Sequence, residues 1–565
     1  CADFRGTRSE NTAGPFFRLS PAPDAGLRGS YLAFNRALGD LYSGDLLQLA
    51  EGDKRPEFDD TAFFEAADMV YHAGGFDNAQ MNTPEARRLI GETLKQLVTG
   101  ISSGLPHEVP ETVRYALENN AFIFSGFKAF HSLREVGLSL LDEKGNIKSF
   151  EAFHQDAVKV NNRYNHNYLY AEYNHAVGAS LMAARWHRFE ADGDKYDLQY
   201  RTAEDDRVRE DHAILNGTTL PLSDPFWGKY LPPNGWNCRC TAVQVRKGKY
   251  PLSDSELSMK RGDNCTETAK QQIFRFNPGK ELALFPPKHP YYKAPTEVKK
   301  IIEELSDEQK KEKRIAEMVA ELPDNLTDEE KKAIAEHNLE LENALGITKG
   351  KPMTVEEADK QSANPNHVPE FIRDPKGSYV DKAGVHYSRN PKYDATKHKR
   401  FGINCQTCAP AYALRLMGFN VTAKGKTPGT KMDYLSRQHS FEAWKNTDNT
   451  PAVPTLYCDW MDSKKYKQMS PKRYAEFFKE TCKEPGVYIV TIGWKGGGGH
   501  ATILQKFPDG SLKYIEPQHY EAELGALRSI DELCNSGATK PISTRGILRV
   551  DDKLFNTDFA EIFDK

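Results

Sequence analysis

Residues 295–345 constrain the fold more than any other stretch. PTEVKKIIEELSDEQKKEKRIAEMVAELPDNLTDEEKKAIAEHNLELENALG is crowded with charges of both signs. Its apolar residues recur at 301/302, 305, 315, 318/319 and 322, close to helical spacing. So few apolar positions cannot enclose a deep core, so the chain on either side must fold as separately cored pieces. Pro323 and the LTDEE cap predict two helices. The segment reads as a charged helical spacer over 295–349.

The flanking pieces differ in pattern, which predicts a multidomain α+β chain. Residues 1–57, rich in Gly, Pro, Arg and Ser at their start, read as an arm. Residues 58–294 read as one domain, mainly helical at first. FDDTAFFEAADMVYHAGG opens on Asp caps and ends on a Gly pair. Three more helical stretches follow, the last running to about Arg188. Residues 190–250 change to short strand-like pieces between Pro/Gly turns. Residues 350–565 read as an α+β unit. Its signals are a Cys-bearing helix, strands at GVYIVTIGW, HATILQKF, LKYIEP and ISTRGILRV, and a turn at Asp509–Gly510.

Composition excludes several classes. The chain has 565 residues, with 76 Lys+Arg against 80 Asp+Glu, too balanced for a histone-like binder. Residues 226–293 hold twelve Lys/Arg against five Asp/Glu, a local excess that allows weak DNA contact. No apolar run reaches the ~18 residues of a membrane span. Nine Cys, odd and sparse, are not a disulfide lattice. Cys1 fits either a processed lipoprotein or a trimmed chain, and no signal peptide is visible.

Two constellations carry chemistry. In the first, His212 precedes Cys238-Arg239-Cys240. Thiols and an imidazole suit a borderline metal, with zinc as a structural ion. A strand-like CRC would point both thiols to one face. Asp205, Asp206, Asp211 and Cys265 are the options for a fourth ligand, and hydrogen-bonded thiols beside a structural His are the bland alternative. R-T-A-x-D-D-R-V-R-x-D-H, with D-P-x-W and P-P-x-x-W-N-C-R-C, resembles the phage head morphogenesis, or Mu F-like minor head protein, family. The resemblance covers at least 168–246 and implies a minor capsid protein near the portal, hence a virion-associated chain. It marks Arg201, Asp206, Arg207, His212, Cys238 and Cys240 as motif residues.

In the second, Asn404-Cys405 opens an amphipathic helix, where the helix dipole favours a thiolate. Cys408 lies one turn on and is the alternative nucleophile. His500 follows four glycines, 95 residues beyond Cys405, and Glu516 lies 16 further on. A tight turn joins the His and Glu strands, so they should pair as a hairpin. N-C-x-x-C-x-x-A-Y-x-L-R-x-x-G-F-x-V-T-A, with G-G-H-A and I-E-P-Q, resembles the papain-like fold toxin domains of bacterial polymorphic toxins over about 350–550. That resemblance implies a cysteine hydrolase of protease, deamidase or transglutaminase type with no required cofactor. It is an effector reading: a protein substrate, an immunity protein and a secretion apparatus or phage head for delivery. Cys405 would be nucleophile, His500 base and acid, and Glu516 its orienter. Gln518, Asn404 or backbone N–H groups would hold the oxyanion. Two positions depart from the family pattern: Glu516 stands where Asp is common, and Ala413 where an acid is usual. The competing reading is a structural head protein with an inactive C-terminal domain.

Overall fold

The computed structural model describes residues 25–43, 56–106, 108–322, 326–519, 523–525 and 527–564. It mixes helices with small antiparallel sheets and divides into two compact units, 1–310 and 311–565.

The first unit is built on long helices: α1 (Ala25–Tyr42), α2 (Asp60–His72), α3 (Pro84–Gly104), α4 (Glu111–Leu138), α5 (Phe150–Asn161) and α6 (Leu169–Asp192). Their starts follow capping chemistry. Asp59 accepts from the Thr61 N–H, Thr83 from Ala86 with Pro84 at the first helical position, and Ser149 from Ala152. The apolar faces close on one core that includes Phe63, Leu97, Phe124 and Phe130. Most of the expected arm lies outside the described residues. Within it, however, α1 buries Leu38, Leu41 and Tyr42, an i, i+3, i+4 stripe that makes this stretch part of the core.

A three-stranded sheet follows, with β1 (Tyr196–Arg201) between β2 (Thr219–Pro221) and β3 (Thr241–Arg246). The short helix α7 (Glu210–Ala213) lies between β1 and β2, and α8 (Ser255–Cys265) follows β3. Cys238 and Cys240 sit in the loop entering β3, not on a strand as the CRC pattern suggested; Asn237 there has a left-handed φ of 54°.

The spacer forms two helices, α9 (Thr296–Ala320) and α10 (Asp328–Leu345). Thr327 and Glu330 form the capping box read from LTDEE; Pro323 lies outside the described residues. These helices are not free-standing. Val298, Ile302 and Leu305 belong to the first unit's core, and Leu341 and Leu345 to a core of the second. Even a sparse apolar stripe is enough to seat a helix when a neighbour supplies the other half of the core.

In the second unit, β4 (Gly486–Trp494) is central. It pairs with β5 (Gly499–Lys506) and with β7 (Gly546–Arg549), and β6 (Leu512–Ile515) extends the sheet beyond β5. Val487 and Ile489 face a core shared with α11 (Cys405–Leu416). Tyr488, Val490 and Ile492 face another, shared with Tyr474, Phe477 and Phe478 of α12 (Pro471–Thr481). Burial on both faces explains why GVYIVTIGW reads as an unbroken apolar run.

Candidate functional site

In the second unit, Cys405, Gln406, His500, Glu516 and Gln518 line one cavity of about 500 Å³. Cys405 is the first residue of α11. His500 is the second residue of β5, opposite Ile492, and Glu516 directly follows β6. The turn at Asp509–Gly510 makes β5 and β6 a hairpin: the Phe507 N–H reaches the Ser511 carbonyl at 2.9 Å, and Gly510 takes a φ of 85°. That register brings the head of β5 to the tail of β6. Gly497 and Gly498 adopt φ values of 92° and 77°, and a Cβ on Gly499 would lie 2.5 Å from the Ile492 carbonyl. The glycine run is thus what turns the chain tightly into the His500 strand.

His500 Nε2 lies 2.7 Å from Glu516 Oε2, and the two side chains are only 7% and 9% exposed. Burial alone would lower the imidazole pKa. Glu516 and the Cys405 thiol override it and hold His500 well above its ordinary value. Burial raises the Glu516 carboxyl, but His500, His519 and the Tyr514 hydroxyl hold it below its ordinary value. The Tyr514 hydroxyl donates to Glu516 Oε2 at 2.8 Å.

The alternative nucleophile is placed differently. Cys408 is fully buried in the core against α11's neighbours and is absent from the cavity lining. Burial, Cys405 and Glu516 all push its thiol pKa up.

Asn404 corrects an expectation. It lies outside the cavity wall, wholly buried, and its amide hydrogens go to Asn364 Oδ1 at 3.2 Å and the Lys424 carbonyl at 3.1 Å. None is left for an oxyanion. Its carbonyl instead accepts from Thr407 and Cys408 N–H groups. Cys405 and Gln406, the first helical residues, have N–H groups with no acceptor inside the helix. Gln518 donates from Nε2 to the Gly402 carbonyl, which ties the wall to the chain just before α11.

Sequence reasoning missed two features. Arg545 lines the cavity, is 9% exposed, and has no acidic partner among the described residues; its Nε is buried without an acceptor. Glu523 accepts from His367 Nε2 at 2.9 Å and His519 Nδ1 at 3.2 Å. Burial raises the Glu523 pKa, but the two imidazoles bring it down to about 2. No local pattern marks these groups, because residues far apart in the sequence meet only in the fold.

In the first unit, His212 Nδ1 lies 3.5 Å from Cys238 Sγ and 3.6 Å from Cys240 Sγ. Burial would lower the His212 pKa, yet Cys238 and Cys265 raise it to about 10. The paired thiols split their protons. Hydrogen bonding from Cys240 pushes Cys238 down, and the same contact pushes Cys240 up. Arg239, between them, grips Asp205 with both guanidinium arms at 2.5 and 2.6 Å. Of the other motif residues, Arg201 donates to Gln199 Oε1 at 3.1 Å, Arg207 Nε lies 4.0 Å from Asp205, and Asp206 is exposed.

Residues 146–243 match the family model described as Phage Mu protein F like protein. The putative capsid assembly protein F of Escherichia phage Mu is 38% identical over 111 residues. Residues 146–243 carry a phage Mu F-like domain. It runs from the end of the β-bridge at Leu141–Ile147 through α6 into β3, and so includes His212, Cys238 and Cys240. The match takes in 18% of this chain and 25% of the phage Mu protein, so the chain spans about a quarter of that relative's length. No solved structure matches.

Proposed function

We propose that residues 350–565 are a cysteine hydrolase of papain-like fold, carried behind a Mu F-like leader and acting as an effector on a protein substrate. The observation that carries the reading is the cavity shared by Cys405, His500 and Glu516, with the imidazole held at 2.7 Å by a buried carboxylate.

The chemistry is acyl transfer to sulfur. His500 takes the Cys405 proton as the sulfur bonds to the carbonyl carbon of a peptide or a Gln or Asn side-chain amide. The oxyanion lies toward the Cys405 and Gln406 N–H groups. Collapse breaks the C–N bond, and His500 returns the proton to the departing amine or ammonia. Water then attacks the thioester, His500 takes its proton, and the acid leaves as the thiol reforms. Glu516 orients His500 and supports its charged form. Arg545, a buried cation in the wall, favours a substrate that brings a carboxylate or amide oxygen beside the scissile group.

Proteomic mass spectrometry of a bacterial lysate treated with the wild type and with Cys405→Ala tests this. New peptide termini or Gln-to-Glu conversion confined to the wild type supports it; identical peptide patterns oppose it.

A second reading rests on the similarity to a capsid assembly protein. In it the chain is a minor capsid protein with a capsid or portal partner, and its C-terminal unit is inactive. Incorporation into heads, with Cys405→Ala silent in every assay, would favour it. The readings are compatible, since a virion can deliver an enzyme.

A further inference from the structure

We propose that His212, Cys238 and Cys240 hold a zinc ion in the first unit. The proposal is independent of the hydrolase reading.

The spacing is the first argument. Tetrahedral zinc, with Zn–N of ~2.0–2.1 Å and Zn–S of ~2.3 Å, keeps its nitrogen and sulfur ligands about 3.5–3.6 Å apart. His212 Nδ1 stands 3.5 Å from Cys238 Sγ and 3.6 Å from Cys240 Sγ. The ligand atoms of these three residues all lie within 4.8 Å of one another. A neutral imidazole nitrogen offers one proton or one lone pair, so it cannot satisfy two thiols at once. Aimed between them, it has the geometry of a ligand facing a shared centre.

Cys265 packs beside these three but outside their mutual 4.8 Å spacing. It ends α8, which packs against α7, the helix that carries His212. It is wholly buried in the cluster against which Cys240 packs, and it interacts with His212. The carboxylates that compete for the fourth position are spent or turned outward. Asp205 is held by Arg239, and Asp206 is exposed. Asp211 accepts from the His212 N–H at 2.9 Å and from Gln271 Nε2 at 2.8 Å. Two thiolates and one imidazole hold the ion and leave the fourth tetrahedral position to a water molecule. Binding releases the thiol protons that remain, which couples metal affinity to pH.

The test uses the full chain, purified reduced, stripped with a chelator and reloaded with zinc, then with cobalt(II). Zinc content should be one ion per chain, and the cobalt form should show the visible bands of a tetrahedral, two-thiolate site. Cys238→Ser should weaken zinc binding by more than about tenfold, while Cys458→Ser, in the second unit, should not. No stoichiometric zinc, an octahedral cobalt spectrum, or a Cys238–Cys240 disulfide that persists in reduced, metal-loaded protein would overturn the site. The wild-type spectra decide even if a variant fails to fold.

Discussion

His500 Nε2 and Glu516 Oε2 meet at 2.7 Å, both side chains less than a tenth exposed, at the open end of a single hairpin. Glu516 is the strongest influence raising the imidazole pKa against burial. In Glu516→Gln that support is gone, and burial works to neutralise His500. We expect a loss of about 10²–10⁴ in kcat and an alkaline limb of activity moved to lower pH. A pH–rate profile of both proteins on the substrate found by proteomics checks this; an unmoved limb would contradict the pairing.

Cys408 makes the contrasting prediction. It packs in the core and faces no cavity. Cys408→Ala should keep activity within a few-fold and cost roughly 1–2 kcal/mol of stability through lost packing. Denaturant unfolding and turnover assays on the same sample check both halves.

Lys128 and Glu172 form a buried ion pair at 2.5 Å, 1% and 0% exposed, and the Tyr42 hydroxyl donates to the same carboxylate at 2.6 Å. Lys128→Met alone strands a buried carboxylate and should cost about 3–5 kcal/mol. Lys128→Met with Glu172→Leu removes both charges and should recover much of that loss. Urea midpoints of the two variants make the comparison.

Acid should weaken the first unit. His131 donates from Nε2 to the Tyr291 carbonyl at 3.0 Å, and His175 to that of Leu284 at 3.0 Å. Burial lowers their pKa values to about 3 and about 4. The unfolded chain binds these protons near pH ~6.5 and the folded chain does not. Their contribution is therefore complete above pH ~6.5 and is lost as pH falls toward 4, at up to ~1.4 kcal/mol per pH unit for each histidine. Unfolding followed between these limits should show that slope, and His131→Gln should reduce it.

Much of this architecture is legible in local pattern. Capping residues announce α2, α3 and α10, the unbroken run GVYIVTIGW announces a doubly buried strand, and the PDG turn places His500 beside Glu516. What local pattern hides is whatever depends on distant contacts. The CRC strand reading fails because Asn237 breaks the extended path before β3. Asn404 looks like an oxyanion donor until Asn364 and Lys424 claim its hydrogens. Arg545 and the His519–Glu523 pair have no signature, since only the sheet and its loops bring them to the cavity.

Activation of the Cys405 sulfur by His500 is the step on which the proposed hydrolase rests. Alkylation by iodoacetamide near neutral pH, with each cysteine followed by peptide mass spectrometry, measures it most directly. Cys405 should react first, Cys408 should stay unmodified in the folded protein, and His500→Ala should slow Cys405 by about tenfold or more. A Cys405 that reacts no faster than the partly exposed Cys458, or at the same rate without His500, would contradict it.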